Sequence, residues 1–133
     1  MANDSHVSIV QELYAAFLAG DVEAILDLLT EDVTFILPEL PGVPLQTTYL
    51  GKKGFRQFLA DREPALTYTA FNPQQYFSDQ DHVIVLGNTE GTVKATGKAF
   101  GYQWVQLFEI TREHRVRRIH EFMDTHALVV AFA

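Results

Sequence analysis

Four long runs in the second half of the chain restrict its fold more than any other feature. They lie at about 67–77, 82–94, 99–110 and 115–124. Each is rich in β-branched and aromatic residues, and in each the apolar side chains tend to alternate with polar ones, the pattern of strands. "SDQD", "KATGK" and "TREH" separate them and read as turns. Strands joined by such short connections pair as antiparallel neighbours. The first third reads differently. Val10, Leu13, Tyr14, Phe17 and Leu18 recur at helical spacing, with Ser8–Gln11 as a capping box and Ser5 as a rival N-cap. Gly20 suits the C′ position, and Asp21 caps a second helix carrying Val22, Ile25, Leu26, Leu28 and Leu29.

"DVTFIL", 32–37, reads as a further strand, ended by "PELPGVPLQTTYLG", a loop whose three prolines exclude it from a sheet. "KKGFRQFLA", 52–60, reads as a short third helix presenting Phe55, Phe58 and Leu59, limited by Pro64. Helices first and strands after imply an α+β domain over residues 1–133. Its expected form is a curved antiparallel sheet, with the N-terminal helices packed over the concave face. A curved sheet covered by so few helices keeps a cone-shaped cavity, the expected place for an apolar small-molecule ligand.

Composition narrows the function. The net charge of −7 includes no basic stripe, so neither nucleic acid nor an anionic membrane is an expected partner. The chain has no cysteine, which removes disulfides, thiolate nucleophiles and Cys-ligated zinc. "MANDSHVSIV" lacks the basic and apolar regions of a secretory signal, and no apolar run approaches the roughly 20 residues of a membrane span. A cytoplasmic location is the expectation. "HEFMD" is not HExxH, because residue 124 is Asp, and on a strand His120 and Glu121 point to opposite faces. "GKKG" lacks the P-loop frame, and no nucleophile elbow is present. No metal and no organic cofactor is expected.

Alternation places the remaining candidates. Phe100, Tyr102, Trp104, Gln106 and Phe108 share one face; Ile119, Glu121 and Met123 share one face of the next strand. If the two sets line one concavity, Glu121 sits among aromatic rings. Desolvation then raises its pKa toward neutrality and makes it an acid–base candidate. The competing reading is a buried Glu paired with Arg, Tyr or Trp and without chemistry. Gln106 and Trp104 carry donors for a substrate oxygen. Asp124 is a second catalytic candidate, although a strand end favours a turn-forming role for it. Tyr14 and Phe17 suit core packing first and the cavity wall next, and Trp104 suits either equally. The apolar end "ALVVAFA", 127–133, is expected to extend the sheet or seal a homodimer.

"LYAAFLAGDVEAILDLLTEDVTFILP", "YLGKKGFRQFL", "TGKAFGYQWVQLFEI" and "RVRRIHEFMDT" together resemble the SnoaL-like proteins. These share the nuclear transport factor 2 fold with ketosteroid isomerase, limonene epoxide hydrolase and scytalone dehydratase. The resemblance spans about residues 7–126 and implies a cone-shaped α+β barrel, often dimeric through its sheet. It implies reaction less directly, since the fold hosts enzymes and binders alike. The steroid isomerase base position is Leu37 here, its oxyanion aspartate falls near Gln106, and its oxyanion tyrosine falls near Leu13, one residue from Tyr14. The epoxide hydrolase aspartates correspond to Glu121 and Asp124, while its middle-strand Arg and Asp find only Thr89 and Glu90. The polyketide cyclase acid corresponds to Glu121 and its histidine to Gln106. The resulting expectation is an enzyme that uses Glu121 for isomerase, cyclase, dehydratase or hydrolase chemistry on an apolar, oxygenated molecule. Tyr14, Gln106, Trp104, Tyr102 and Glu90 would contact the substrate. Phe17, Phe35, Leu37, Phe55, Phe58, Ile119 and Met123 would form the wall. The alternatives are a non-catalytic binder of an apolar ligand and a protein-interaction module.

Overall fold

The computed structural model describes residues 4–133. Residues 1–3, part of the segment read for a secretory signal and of the domain span, lie outside the described residues. The elements in chain order are α1 (Asp4–Ala19), α2 (Val22–Asp27), β1 (Leu29–Ile36), β2 (Thr48–Leu50), α3 (Gly51–Arg62), β3 (Leu66–Ser78), β4 (His82–Val93), β5 (Ala99–Ile110), β6 (Val116–Met123) and α4 (Thr125–Phe132). The strands form one six-stranded sheet in the order β2-β1-β6-β5-β4-β3. The fold is the expected α+β cone, with one difference in its sheet. β1 runs parallel to β6, with Phe35 opposite Ile119, so the sheet is mixed rather than antiparallel. A parallel pair needs a long crossover, and the whole chain between these two strands supplies it.

The local signals act as their chemistry requires. Gly20 adopts φ +69° between α1 and α2, where a side chain would be strained. The Asp21 side chain accepts a hydrogen bond from the Ala24 backbone N–H at 3.1 Å and starts α2. Four assignments differ from the sequence reading. Ser5 and Ser8 lie within α1, which begins at Asp4. Leu18 is 60% exposed, on the outer side of that helix. Leu28 caps α2, and Leu29 already pairs with Val116, because the sheet claims it before another helical turn can form. The proline-containing loop also yields a short strand, β2, where Tyr49 pairs with Phe35. Its prolines stay outside the ladder, and Leu40 and Val43 fold inward beside it.

Bulges give the sheet its curvature. The β3–β4 register shifts between Tyr68 and Ala70 and again between Pro73 and Gln75. Each shift adds a residue to one strand and bends it. Pro73 is accommodated because β3 is an edge strand and the proline lies at a bulge. α1 crosses the concave side against β3 and β4, and α3 packs on β1 and β2. The C-terminal segment does not extend the sheet. Asp124 accepts from the His126 backbone N–H at 3.2 Å, and residues from Thr125 turn into α4. α4 packs on β4 and β5 and buries Leu128 and Ala131.

Leu128 is 1% exposed. Leu128→Ala is therefore expected to cost about 2–5 kcal/mol, read as a lower denaturation midpoint. Removing residues 127–133 should lower the melting temperature further; unchanged stability in both variants would mean that α4 is an ornament on the sheet.

Candidate active site

Alternation along β5 turns Phe100, Tyr102, Trp104, Gln106, Phe108 and Ile110 inward. β6 contributes Ile119 and Glu121 from the same side, with Gln106 and Glu121 directly opposite each other. α1 lowers Tyr14 and Phe17 onto this surface, and α3 brings Phe55 and Phe58 from the side of β1. Together with Phe35 they enclose a cavity between the helices and the sheet.

Ten of the residues singled out in the sequence line this cavity: Tyr14, Phe17, Phe35, Phe55, Phe58, Tyr102, Trp104, Gln106, Ile119 and Glu121. Leu37 and Met123 line a smaller adjoining cavity that also reaches Glu121. Two do not belong to either. Glu90 is exposed on the convex side, and its neighbour Thr89 takes the inward place, because β4 alternates in phase with Val83, Val85 and Val93. Asp124 is exposed and spends its carboxylate on capping α4. The cavity also takes in Leu13, Ile25, Tyr68, Phe71, Thr89 and Phe108. Tyr68 and Phe71 are three residues apart, a spacing that puts side chains on opposite faces of a regular strand. The bulge between Tyr68 and Ala70 reverses the parity, and the two rings stack with centroids 6.1 Å apart.

The polar groups are bonded to one another in two units. Tyr14 Oη donates to Gln106 Oε1 at 2.6 Å, and Gln106 Nε2 donates to Glu121 Oε1 at 2.6 Å. Separately, Trp104 Nε1 donates to Thr89 Oγ1 at 2.7 Å. The Trp104 donor is thus engaged by the protein itself and presents the indole face, not its N–H, to the cavity. The ring stacks on Phe71 at 5.2 Å and lies over Gly87, where a Cβ would come within 2.5 Å of Trp104 Cζ2. Glycine at 87 is what allows the indole to lie that close to the sheet.

Burial among these rings pushes the Glu121 carboxyl up from 4.5 to about 7, against the opposing pull of the Gln106 hydrogen bond. Tyr14 is pushed far above the ordinary phenol range, first by burial and then by the charges of Tyr76 and Glu121. Tyr14 therefore stays an O–H donor at any physiological pH. Among the described residues no group of three or more His, Asp or Glu side chains is placed to hold a metal ion. No helix is long and apolar enough to cross a membrane among those residues.

The SnoaL-like domain profile matches residues 10–119. This chain belongs to the SnoaL-like family. No curated protein matches its sequence. A crystal structure of an NTF2-like protein from Burkholderia xenovorans LB400 superposes with a TM-score of 0.88 at 28% identity, covering 100% of this chain and 99% of that one. TerC co-crystallised with polyporic acid is similar at 25% identity and TM-score 0.85, over 96% of this chain and 98% of TerC. A candidate polyketide cyclase from Xanthomonas campestris pv. campestris shares the fold, with TM-score 0.80 at 18% identity and 98% of each chain covered. Within this SnoaL-like chain, Leu37 is a buried apolar side chain. Gln106 bridges Tyr14 and Glu121.

The raised carboxyl has a consequence for stability. The fold favours the neutral form of Glu121, so its burial costs little below about 4.5 and the full amount above about 7. At ~1.4 kcal/mol per unit the cost is on the order of 3 kcal/mol, before screening at the cavity mouth. Glu121→Gln should thus gain stability over the parent as pH rises through that window, read by urea denaturation at several pH values. A difference between the two proteins that does not vary with pH would mean that no carboxyl ionises in these surroundings.

Proposed function

We propose that this chain is a small-molecule enzyme in which Glu121 moves a proton on an apolar, oxygenated substrate. The observation that carries the reading is the Tyr14–Gln106–Glu121 chain inside an aromatic cavity, with a carboxyl poised near neutrality. A group with a pKa near the working pH is present both as base and as acid, which suits a reaction that takes a proton and gives it back. Only one carboxyl faces the main cavity among the described residues. That favours isomerisation or cyclisation through an enolate over hydrolysis, which needs a second group to activate water.

In the proposed step the Glu121 carboxylate removes a proton from carbon beside a substrate carbonyl. The C–H electron pair becomes the C=C bond of an enolate, and the negative charge moves to oxygen. The Gln106 amide suits both states of the acid. Facing a carboxylate, it donates through Nε2 and accepts from Tyr14. Facing a carboxylic acid, a half-turn of the amide lets it accept from Glu121 and donate to Tyr14. Tyr14 O–H is then released toward the cavity, where it can donate to the enolate oxygen. The proton held on Glu121 returns to another carbon, or to the new alkoxide if the enolate has closed a ring on a second carbonyl. The TerC structure, 25% identical and crystallised with polyporic acid, supports a small organic molecule as the occupant of this fold. The reading needs no metal or organic cofactor.

The same cavity serves the alternative of a non-catalytic binder, and one variant separates the two. With a screened panel of cyclic ketones, Glu121→Gln should remove turnover by about 10²–10⁴-fold while leaving ligand affinity within a few-fold. The parent rate should rise with pH around about 7, as the carboxylate forms. Saturable binding with no turnover in the parent makes it a binder instead.

A homodimer through the convex face is also proposed. Phe77, Ile84, Leu107 and His120 are cross-strand partners in one row, and Gln75, Leu86, Val105 and Phe122 form the next. Phe77, Ile84 and Phe122 are exposed. Such a patch on an otherwise acidic surface suits a self-complementary contact. Phe122→Asp should convert a dimer to monomer in sedimentation; a monomeric parent overturns this.

A further inference from the structure

Arg62 differs from the ion-paired cations of this protein in turning into a cavity. Lys52 pairs with Glu31, Arg56 with Glu23, Lys94 with Glu63, and Arg117 and Arg118 with Glu109. Arg62 pairs with no carboxylate among the described residues, although acids flank it in sequence. Asp61 is engaged by the Tyr49 hydroxyl at 2.8 Å and by Gln57 Nε2 at 2.7 Å. Glu63 faces Lys94 at 3.9 Å. Arg62 ends α3 and turns the other way, into the smaller cavity that adjoins the main one. Its Nε is buried and has no hydrogen-bond partner there.

The surroundings explain how a bare guanidinium is held. Its carbon lies 4.1 Å from the centre of the Tyr68 ring and 4.7 Å from that of Phe17. These faces attract the cation and fix its plane, and Tyr68 also takes a hydrogen bond from the guanidinium, yet Nε is left without an acceptor. A buried donor without an acceptor is costly, and cation–π contact does not supply one. Tyr68, Tyr102 and Glu121 line the same cavity. Burial is the main reason that both phenols lie above their ordinary range, so both keep their protons. The rest of the lining is apolar, including Leu40, Leu66 and Leu128.

We infer that Arg62, Tyr68 and Tyr102 form an anion subsite, and that the natural ligand is an organic acid whose carboxylate or acidic enol oxygen sits there. The inference rests on the small-molecule reading of the cavity and extends it to substrate class. A planar oxyanion meets a fork of N–H donors whose geometry matches it, flanked by the hydroxyls of Tyr68 and Tyr102, which are hydrogen-bonded to each other. The ring or chain attached to it extends past Glu121 into the aromatic main cavity, since the two cavities share Phe58, Tyr68, Tyr102 and Glu121. Glu121 does not oppose such an anion with a fixed charge, because it is able to hold a proton. The acid group thus anchors one end of the molecule and the proton chemistry takes place further along it.

Trp104 is the single tryptophan and lines the main cavity, so its fluorescence reports occupancy. The probes are benzoate and benzyl alcohol, alike in ring and different in charge, at constant ionic strength. The parent should bind benzoate at least about tenfold more tightly than benzyl alcohol. Arg62→Met should abolish that preference while still binding benzyl alcohol, which shows that the cavity has kept its shape. Tyr68→Phe should reduce the preference in part. Equal binding of the two probes by the parent, no saturable response to benzoate, or a preference that survives Arg62→Met would each overturn the subsite. Glu121→Gln forms the last arm. Should it retain turnover, the acid–base reading fails, yet an Arg62-dependent benzoate preference in that variant still upholds the anion subsite.

Discussion

A sheet that bends into a half-cone presses its inward side chains together, and most properties of this protein follow from that crowding. Bulges in β3 bend it, and α1, α3 and α4 close it. Space on the concave side then belongs to large rings, and the few polar groups that enter must satisfy one another. Trp104 is bonded to Thr89, and Gln106 links Tyr14 to Glu121. The carboxyl of Glu121 has lost most of the water that would hold it ionised, and its pKa rises for that reason first. The chemistry proposed for the site is a result of packing before it is a result of any catalytic partner.

The two cavities on either side of Glu121 divide the labour of recognition. The larger one offers ring faces and a hydrogen-bonded chain that is able to reverse its sense. The smaller one offers Arg62, a charge held on ring faces with its Nε left without an acceptor among the described residues. The acids next to Arg62 in sequence are engaged elsewhere, Asp61 by Tyr49 and Gln57 and Glu63 by Lys94. The same helix end thus pairs its acids with its own neighbours and turns the Nε of its base inward.

The sequence made much of this legible, for identifiable reasons. Period-two alternation is a geometric necessity of a strand, so β5 placed Trp104 and Gln106, and β6 placed Glu121, without reference to anything distant. It failed where the pleat is interrupted. Tyr68 and Phe71 share a face only because of a bulge, and a bulge leaves no sure mark in one sequence. Thr89 was recoverable from the phase of the β4 valines, whereas Glu90 drew notice by its charge. Asp124 showed the same bias, since a cap needs a carboxylate as much as an active site does. The helical C-terminus escaped because "ALVVAFA" is apolar on every side and carries no period. Arg62 escaped because its meaning lies in what its neighbours bind, which no local pattern records.

The pairing of β1 with β6 also bears on how the molecule is made. Leu29 and Phe35 find their partners at Val116 and Ile119, about two thirds of the chain away, and only the short β2 lies on the other side of β1. During synthesis β1 leaves the ribosome long before β6 exists. Contacts so distant in sequence slow the search for the native state. Until β6 has emerged, the aromatic lining of the cone has no complete enclosure, and it is in this interval that the nascent chain is most exposed to aggregation and to chaperones.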